Sequence, residues 1–242
     1  RILIGKDTRK SGDMLEAALT AGLCSMGAKV IPLGVVPTPA VAYLTRYYKA
    51  DAGVVISASH NPCEYNGIKF FNSDGYKLSD GIENEIESYI LGEKAIEELP
   101  THGKVGYVSA NHNAVEDYVA FAVSTIDCRL DGMKIAVDCA NGASYETAFK
   151  ALNKLGANVE AIHNTPDGVN INHMCGSTHM ESLQAYVTSI GADIGIAFDG
   201  DADRMLAVDE NGKLIDGDQI MAACAKFMRD NGTLKQNTLV AT

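Results

Sequence analysis

The sequence predicts an α/β protein made of two tandem units, each with a mixed, mostly parallel β-sheet sandwiched by helices. Short aliphatic and β-branched runs alternate with longer segments of helical period, which is the pattern of βαβ units. This alternation occurs twice, on either side of a polar stretch near residue 100. A chain of 242 residues is long enough for two domains of ordinary size, so each set of strands is expected to form its own sheet.

The first half of the chain predicts four strands and four helices. Leu15, Leu19 and Leu23 recur at helical spacing before Gly27, a common helix stop. Thr38 is expected to cap the next helix, whose first turn holds a proline. The predicted strands are residues 2–5, 30–35, 53–57 and 68–71. The predicted helices are residues 13–26, 38–48, 79–91 and 114–125.

The second half repeats this order and ends in a hairpin. Asn211-Gly212 lies between two short apolar runs and is a strong signal for a two-residue hairpin turn. Residues 216–228 then begin a further helical unit. The predicted strands are residues 134–138, 158–162, 194–198 and 205–209. The predicted helices are residues 144–155 and 179–190.

These elements divide the chain at two places. The predicted helix 114–125 is expected to bridge the two units, so we assign residues 1–112 to a first domain and 113–212 to a second. Residues 213–242 are expected to start a third domain. Both ends of the chain lie inside apolar runs typical of buried strands, so the sequence is expected to be a segment of a longer protein.

The composition disfavours several classes of partner. A formal net charge of −11 repels nucleic acid phosphates, and no apolar run approaches the roughly 20 residues that a membrane helix needs. The six cysteines are scattered, with neither CxxC pairs nor zinc-ligand spacing. The sequence therefore predicts a soluble cytoplasmic protein with reduced cysteines, which binds neither nucleic acid nor membranes.

A serine loop follows the third predicted strand. It reads Ser57-Ala58-Ser59-His60-Asn61-Pro62 and lies where ligands bind in open α/β sheets, beyond the carboxyl end of a strand. The Ser59 hydroxyl, next to an imidazole and an amide, could act as a nucleophile or carry a phosphate. A polar surface turn is the competing interpretation of these residues alone.

Two basic residues could serve the same site. Lys69 follows ten residues after Ser59, where a returning strand would place it near the serine loop to neutralise charge or move a proton. Arg9 lies between the first strand and the first helix, where its planar fork and the helix start suit a phosphate. Solvated surface charges remain an alternative for both.

The strongest signal is the segment Asp199-Gly200-Asp201-Ala202-Asp203-Arg204, directly after an apolar strand. Three carboxylates at alternate positions can converge on a hard cation such as Mg²⁺ or Ca²⁺. A calcium EF-hand is excluded because Arg204 occupies the position that requires glycine and because the flanking segments are predicted strands. A phosphatase that uses an aspartate as nucleophile stays open as an alternative.

Taken together, these motifs resemble the α-D-phosphohexomutase superfamily over the whole chain. The resemblance rests on the serine loop 57–62, on Asn66-Gly67-Ile68-Lys69 and on the acidic segment 199–204, in this order. Residues 167–172 (Asp-Gly-Val-Asn-Ile-Asn) and 175–179 (Cys-Gly-Ser-Thr-His) are most similar to the bacterial members that interconvert glucosamine 6-phosphate and glucosamine 1-phosphate. The resemblance implies tandem phosphohexomutase-type domains, of which the first lacks its opening strand here.

The resemblance also implies a role for each candidate residue. Ser59 would be the phosphoserine that exchanges its phosphoryl group with a hexosamine phosphate through a bisphosphate intermediate. One Mg²⁺ per active site would be held by a Ser59 phosphate oxygen and the three aspartates. Arg9 would contact the phosphoserine, Lys69 would act as general acid and base, Arg204 would bind near the substrate, and His60 would orient the serine. The metal-binding aspartates would be Asp199, Asp201 and Asp203.

Several alternatives stay open at this stage. The sugar-selecting loop and the C-terminal phosphate loop of the superfamily do not occur in this sequence. We therefore expect these residues alone to bind Mg²⁺ with little or no turnover. Phosphomannose or phosphoglucose is the alternative substrate, and a metal-binding fragment without catalysis is the alternative function. A homodimer is compatible with the sequence.

Overall fold

The computed structural model describes residues 1–96, 98–110 and 113–240 and contains two five-stranded sheets. The first sheet and its helices fill the first half of the chain, close to the predicted positions. Its strands are β1 (Ile2–Lys6), β2 (Lys29–Val35), β3 (Ala52–Ile56), β4 (Ile68–Asn72) and β5 (Tyr107–Val108). Its helices are α1 (Ser11–Ser25), α2 (Thr38–Tyr47) and α3 (Asp80–Ile90).

The second sheet follows with the same kind of alternation. Its strands are β6 (Lys134–Asp138), β7 (Asn158–Ile162), β8 (Ile194–Phe198), β9 (Met205–Asp209) and β10 (Leu214–Ile215). The helices of this half are α4 (Ala114–Ser124), α5 (Thr147–Lys154), α6 (Glu181–Ile190) and α7 (Gly217–Asp230). Short 3-10 turns occur at residues 102–104, 176–178 and 235–237.

The two sheets share the order of four strands and differ in where the fifth strand is added. The first has the order β4-β3-β1-β2-β5 and the second has the order β10-β9-β8-β6-β7. In both, the strand after the third parallel strand runs antiparallel, β4 against β3 and β9 against β8. Strands β3 and β8 therefore hold equivalent positions, and the loops that follow them leave equivalent edges of the two sheets. This arrangement confirms the predicted fold class.

Apolar residues explain why the central strands are buried. Leu3 and Ile4 of β1 and Val54 and Val55 of β3 are fully buried, and they face helices on both sides of the first sheet. Val137 of β6 has the same role in the second sheet. Near-continuous apolar runs of this kind are typical of parallel strands covered by helices on both faces.

Two differences from the predicted elements are the clearest. Strand β5 was not predicted, because a two-residue exposed strand has no pattern to detect. Helix α5 begins at Thr147 rather than at residue 144, because the preceding residues form a loop in which the Ala143 N–H donates to the Gly200 carbonyl at 2.8 Å. The start of α5 is thus displaced by a contact with the acidic loop of residues 199–204.

Helix α4 lies between the two sheets. It contacts α5 on one side and α2 on the other, and the rings of Tyr43 and Phe121 stack with centroids 3.8 Å apart. A mostly apolar cavity of about 250 Å³ lies beside this helix.

Within the described residues, no helix is long and apolar enough to cross a bilayer. The hairpin after β9 joins Leu214 and Ile215 to the second sheet.

Candidate active site

The serine loop and the acidic loop meet between the two sheets. Ser59 follows β3 and Asp199 follows β8, so the two equivalent strands deliver both residues to one place. The Ser59 hydroxyl donates to Oδ2 of Asp199 at 2.7 Å. The two strongest candidates from the sequence are therefore in direct contact.

The backbone of Ser59 adopts an uncommon conformation. Its φ angle is +53°, in the left-handed region that non-glycine residues rarely occupy. The Ser57 hydroxyl accepts a hydrogen bond from the Ser59 N–H at 3.0 Å and itself donates to the buried Asp7 carboxylate at 2.6 Å. Such strained residues persist only where the surroundings hold them, and they cluster at functional sites.

Arg9 holds the backbone of the serine loop through hydrogen bonds. Its side chain is buried and paired with Asp7 through Nε at 2.8 Å. Its Nη atoms donate to the carbonyl oxygens of Ser59 at 2.9 Å, Asn61 at 2.8 Å and Tyr65 at 2.9 Å, and also to that of Pro62. These bonds use all five guanidinium donors. Arg9 thus reaches the backbone of the loop rather than the Ser59 hydroxyl, and its contact with a phosphate on Ser59 stays a prediction.

Asn172 holds the same loop from the second half of the chain. Its Nδ2 donates to the Ser59 carbonyl at 2.8 Å and to the Asn61 carbonyl at 3.1 Å. The sequence assigned no role to Asn172, although it lies within the quoted motif 167–172. No local pattern distinguishes it from any other loop asparagine.

The acidic loop gathers three carboxylates that could hold a cation. The side chains of Asp199 and Asp201 are buried, and Asp203 is partly exposed. One oxygen from each lies within 4.8 Å of the others. Oδ1 of Asp201 is buried and has no hydrogen-bond partner among the described residues. Because oxygen ligands suit Mg²⁺ and a buried unpaired carboxylate oxygen is costly, this donor set fits a hard divalent cation.

The pKa values of the two buried aspartates are shifted in opposite directions. Burial raises the pKa of Asp199, the Ser59 hydroxyl opposes this shift, and the neighbouring Asp201 and Asp203 carboxylates reinforce it. Burial would also raise the pKa of Asp201, but the Thr38 hydroxyl and the Lys69 charge outweigh it and hold that pKa below its usual value. The loop thus concentrates negative charge that a bound cation would neutralise.

Two residues of the first half contact Asp201 directly. The Thr38 hydroxyl donates to Oδ2 at 2.7 Å, and the Thr38 N–H donates to the Asp201 backbone carbonyl at 2.9 Å. Lys69 forms an ion pair with the same Oδ2 at 3.3 Å. The predicted capping role of Thr38 is wrong, because Pro37 holds the N-cap position and the Thr38 side chain turns toward the acidic loop.

Arg204 completes the contacts around Ser59. Its Nη2 donates to the Ser59 hydroxyl oxygen at 2.8 Å and to Nδ1 of His60, and it lies 3.2 Å from Asp199. His60 is exposed, and accepting this bond at Nδ1 places its proton on the other ring nitrogen. Arg204 and His60 therefore lie at the exposed side of the serine, where an anionic ligand could approach.

A second group of potential metal ligands lies behind the acidic loop. Donor atoms of Asp138, His163 and Cys175 are close together. However, the Asp138 carboxylate already accepts hydrogen bonds from His163 at 2.9 Å, the Ala140 N–H at 2.8 Å and the Gly176 N–H at 2.9 Å. We interpret Asp138 as a residue that holds the loops behind the site, since both of its carboxylate oxygens already accept hydrogen bonds.

Comparison with known proteins places these loops in a family. Residues 1–97 match the model of phosphoglucomutase/phosphomannomutase α/β/α domain I, and residues 115–212 match that of α/β/α domain II. The crystal structure of a phosphoglucomutase/phosphomannomutase family protein from Burkholderia thailandensis superposes with a TM-score of 0.80 at 28% identity. That superposition covers 95% of this chain and 51% of the other.

Curated relatives are more similar still. Phosphoglucosamine mutases of Ruminiclostridium cellulolyticum and of Acetivibrio thermocellus are each 62% identical over 242 residues. Each alignment covers 100% of this chain and 54% of the relative, so the chain spans about half the length of these proteins. These matches confirm the resemblance drawn from the motifs. The chain belongs to the phosphoglucomutase/phosphomannomutase family, and its residues match domains I and II of that family.

Proposed function

We propose that this chain carries the phosphoserine and metal loops of an enzyme that interconverts glucosamine 6-phosphate and glucosamine 1-phosphate. The observation that carries the proposal is the direct contact of Ser59 with both Asp199, at 2.7 Å, and Arg204, at 2.8 Å. A hydroxyl between a carboxylate that can bind metal and a guanidinium that can bind phosphate suits a phosphoryl carrier.

The proposed domain assignment follows the two sheets except that β10, which pairs with β9 of the second sheet, lies just beyond the proposed second boundary. Residues 1–112 form the domain with the serine loop, residues 113–212 form the domain with the acidic loop, and residues 213–242 begin a third domain. A third domain and a fourth would supply the sugar and distal phosphate contacts, because neither corresponding loop motif occurs in this sequence. The 242 residues alone are accordingly expected to show little or no turnover.

Asp199, Asp201 and Asp203 are the proposed ligands of one Mg²⁺, together with a phosphate oxygen on Ser59. The unpartnered Oδ1 of Asp201 and the proximity of the three carboxylates support this assignment. A bound Mg²⁺ would offset the negative charge that accumulates while a phosphoryl group moves.

Ser59, Lys69 and Arg204 have separate roles in the proposed reaction. The phosphorus–oxygen bond at Ser59 breaks while a bond forms to a free hydroxyl oxygen of the sugar phosphate, which gives a sugar bisphosphate. The proton that this hydroxyl releases passes through Lys69, acting as general acid and base, to the Ser59 oxygen, which leaves as the serine hydroxyl. Arg204 holds phosphate oxygens beside Ser59. The bisphosphate then turns over in the site and returns its other phosphoryl group to Ser59, so the serine is phosphorylated again.

The proposed sugar rests on the high similarity to the phosphoglucosamine mutases named above. The full-length protein should therefore be assayed with the 6-phosphates of glucosamine, mannose and glucose under identical conditions. We expect the highest kcat/KM with glucosamine 6-phosphate and loss of all three activities in Ser59→Ala. A higher kcat/KM with mannose or glucose 6-phosphate would contradict the proposed specificity but not the phosphoserine chemistry.

Assays of the full-length protein also distinguish the proposed mutase from the alternative phosphatase. An aspartyl-phosphate enzyme would release inorganic phosphate from the sugar and form an acyl phosphate that hydroxylamine cleaves. We expect isomerisation without net phosphate release, and a protein-bound phosphate that resists hydroxylamine. Release of phosphate that survives in Ser59→Ala would favour the phosphatase.

A further inference from the structure

We propose that Asn172 is a positioning residue that fixes the Ser59 hydroxyl from the opposite domain. The effect of Asn172 on catalysis rests on the proposed phosphoserine chemistry. The hydrogen bonds that hold the serine loop do not depend on that chemistry.

Asn172 and Arg9 bind the same two carbonyl groups. The Ser59 carbonyl accepts from Arg9 Nη2 at 2.9 Å and from Asn172 Nδ2 at 2.8 Å. The Asn61 carbonyl accepts from the same two atoms at 2.8 Å and 3.1 Å. A carbonyl oxygen has two lone pairs, so both acceptors are saturated, one bond from each half of the chain. The serine loop is therefore fixed by two side chains that approach from different sheets.

The orientation of the Asn172 amide follows from its neighbours. Two carbonyl oxygens face one end of the amide, so that end must be the NH₂ group, which has two hydrogens to donate. The other end, Oδ1, is buried without a partner among the described residues. Burying an amide with only one end hydrogen-bonded costs free energy. We infer that the two hydrogen bonds to the serine loop determine the position of this side chain.

The backbone around Asn172 is also specialised for this contact. Its φ angle is +58°, a conformation that asparagine tolerates better than most residues, and its N–H donates to the Ala140 carbonyl at 2.9 Å. A side-chain carbon added at Gly200 would lie 2.6 Å from both Asn172 Nδ2 and the Ser59 carbonyl oxygen. The absence of a side chain at Gly200 thus lets the acidic loop approach this contact.

The Ser59 carbonyl and hydroxyl belong to one residue held in the left-handed region, so fixing the carbonyl also restricts the direction of the hydroxyl. That hydroxyl points at Asp199 and Arg204. Loss of the Asn172 bonds leaves Arg9 as the remaining partner of the two carbonyls and lets the loop shift away from the acidic loop. Reactions that depend on alignment are sensitive to such shifts, with about 100-fold loss for a misplacement near 1 Å.

Two substitutions isolate the side chain. Asn172→Gly keeps the left-handed backbone without strain and removes both donors. Asn172→Asp keeps the size but places a carboxylate oxygen against two carbonyl oxygens. Met174→Gly is the matched control, because Met174 also has a positive φ, of +53°, while its side chain is exposed.

The test measures the rate at which dephosphorylated full-length protein takes up a phosphoryl group from glucosamine 1,6-bisphosphate, followed by intact mass. Affinity for Mg²⁺ by calorimetry and the unfolding temperature are measured alongside. We expect both Asn172 variants to lose roughly 10- to 100-fold in rate, with Mg²⁺ affinity and KM unchanged, while Met174→Gly matches the wild type.

The outcomes separate this inference from the proposed function. If the wild type never gains phosphate on Ser59, the proposed function is wrong. If the wild type gains it and folded Asn172 variants gain it equally fast, Asn172 does not position the serine. If Mg²⁺ affinity and rate fall together in the Asn172 variants, the residue acts on the metal loop and the inference is also overturned.

Discussion

The Ser59 hydroxyl lies 2.7 Å from Oδ2 of Asp199, across a separation of 140 residues in the sequence. Each residue follows the strand of its own sheet that precedes the antiparallel strand, β3 for Ser59 and β8 for Asp199. The strand order that the two sheets share therefore explains the contact, because two equivalent loops face each other at the boundary between the sheets. A serine hydroxyl and a cluster of three carboxylates are thus brought together from two separate sheets.

Asp199→Asn should weaken Mg²⁺ binding without weakening the metal-free fold. Supporting residues around a metal typically change its affinity by about 10- to 100-fold, and a direct ligand should change it at least as much. Burial and the adjacent carboxylates raise the pKa of Asp199, so a neutral amide relieves repulsion in the metal-free state. Calorimetric Mg²⁺ titration and thermal unfolding check both parts, with the exposed Asp127→Asn as control. Unchanged Mg²⁺ affinity would exclude Asp199 as a ligand.

Thr38→Val should destabilise the protein by about 1.5–3 kcal/mol, the range for a hydrogen bond to a charged group. Thr45→Val on the same helix is the matched control, because the buried Thr45 hydroxyl donates only to a neutral carbonyl, that of Val41. Its expected loss is smaller, about 0.5–1.5 kcal/mol. Urea unfolding measures the free energy of unfolding of both variants. Thr38→Ser should restore most of the stability that Thr38→Val loses. Equal losses for Thr38→Val and Thr45→Val would count against a charged partner.

The same substitution has a pH-dependent effect on the metal. The Thr38 hydrogen bond helps to hold the pKa of Asp201 below its usual value, so its removal moves that pKa upward. Protons then compete with Mg²⁺ for Asp201 at a higher pH. We expect Mg²⁺ affinity of Thr38→Val to fall at a higher pH than in the wild type as the solution is acidified.

Arg9→Gln should be strongly destabilising. Arg9 and Asp7 form an ion pair whose side chains are both fully buried, and removing one partner of such a pair typically costs about 3–5 kcal/mol. Arg9→Lys keeps the charge but cannot reach all of the carbonyl acceptors, so an intermediate loss is expected. The exposed Arg129→Gln, which removes a surface pair with Asp131, should leave stability nearly unchanged. Similar unfolding midpoints for Arg9→Gln and Arg129→Gln would refute the structural role of Arg9.

The positions of the serine loop and the acidic loop were predictable from the sequence because each rests on a local pattern. An apolar strand followed by small and polar residues places a loop at the carboxyl edge of a sheet, as found for Ser59 and Asp199. The strands and most helix bounds followed from the same patterns. The roles predicted for the candidate site residues remain proposals, namely those of Ser59, His60, Lys69, Arg9, Arg204, Asp199, Asp201 and Asp203.

The remaining contacts depend on tertiary approach and carry no local signal. Thr38 looked like a helix cap because its sequence context fits one, and only the nearby acidic loop redirects its side chain. Arg9 binds backbone carbonyls 50 to 56 residues away, and Asn172 binds carbonyls 111 and 113 residues away. Every residue has such a carbonyl. Residue type cannot reveal such partners.

His163 should make stability depend on pH near neutrality. Its hydrogen bond with Asp138 raises the pKa of His163 above the unfolded value of about 6.5, although burial opposes the shift. A raised pKa contributes stability that is fully present below about pH 6.5 and lost as pH rises through the folded pKa. The difference in unfolding free energy between wild type and His163→Asn should therefore shrink as pH rises above that value.

The control for this pH dependence is His102→Asn. His102 is exposed and has a φ of +51°, close to the +46° of His163, so the two substitutions impose similar backbone demands. Urea unfolding at a series of pH values compares the two variants. A pH-independent difference between wild type and His163→Asn would show that the Asp138 contact does not favour the charged imidazole.

Locating the phosphate by fragment-ion mass spectrometry decides whether Ser59 is the phosphorylated residue. The full-length protein is isolated, and the peptide containing Ser57 and Ser59 is sequenced in the wild type and in Ser59→Ala. We expect one phosphate on Ser59 in the wild type and none on this peptide in the variant. A phosphate on Ser57, or one retained elsewhere at wild-type level in Ser59→Ala, would contradict it.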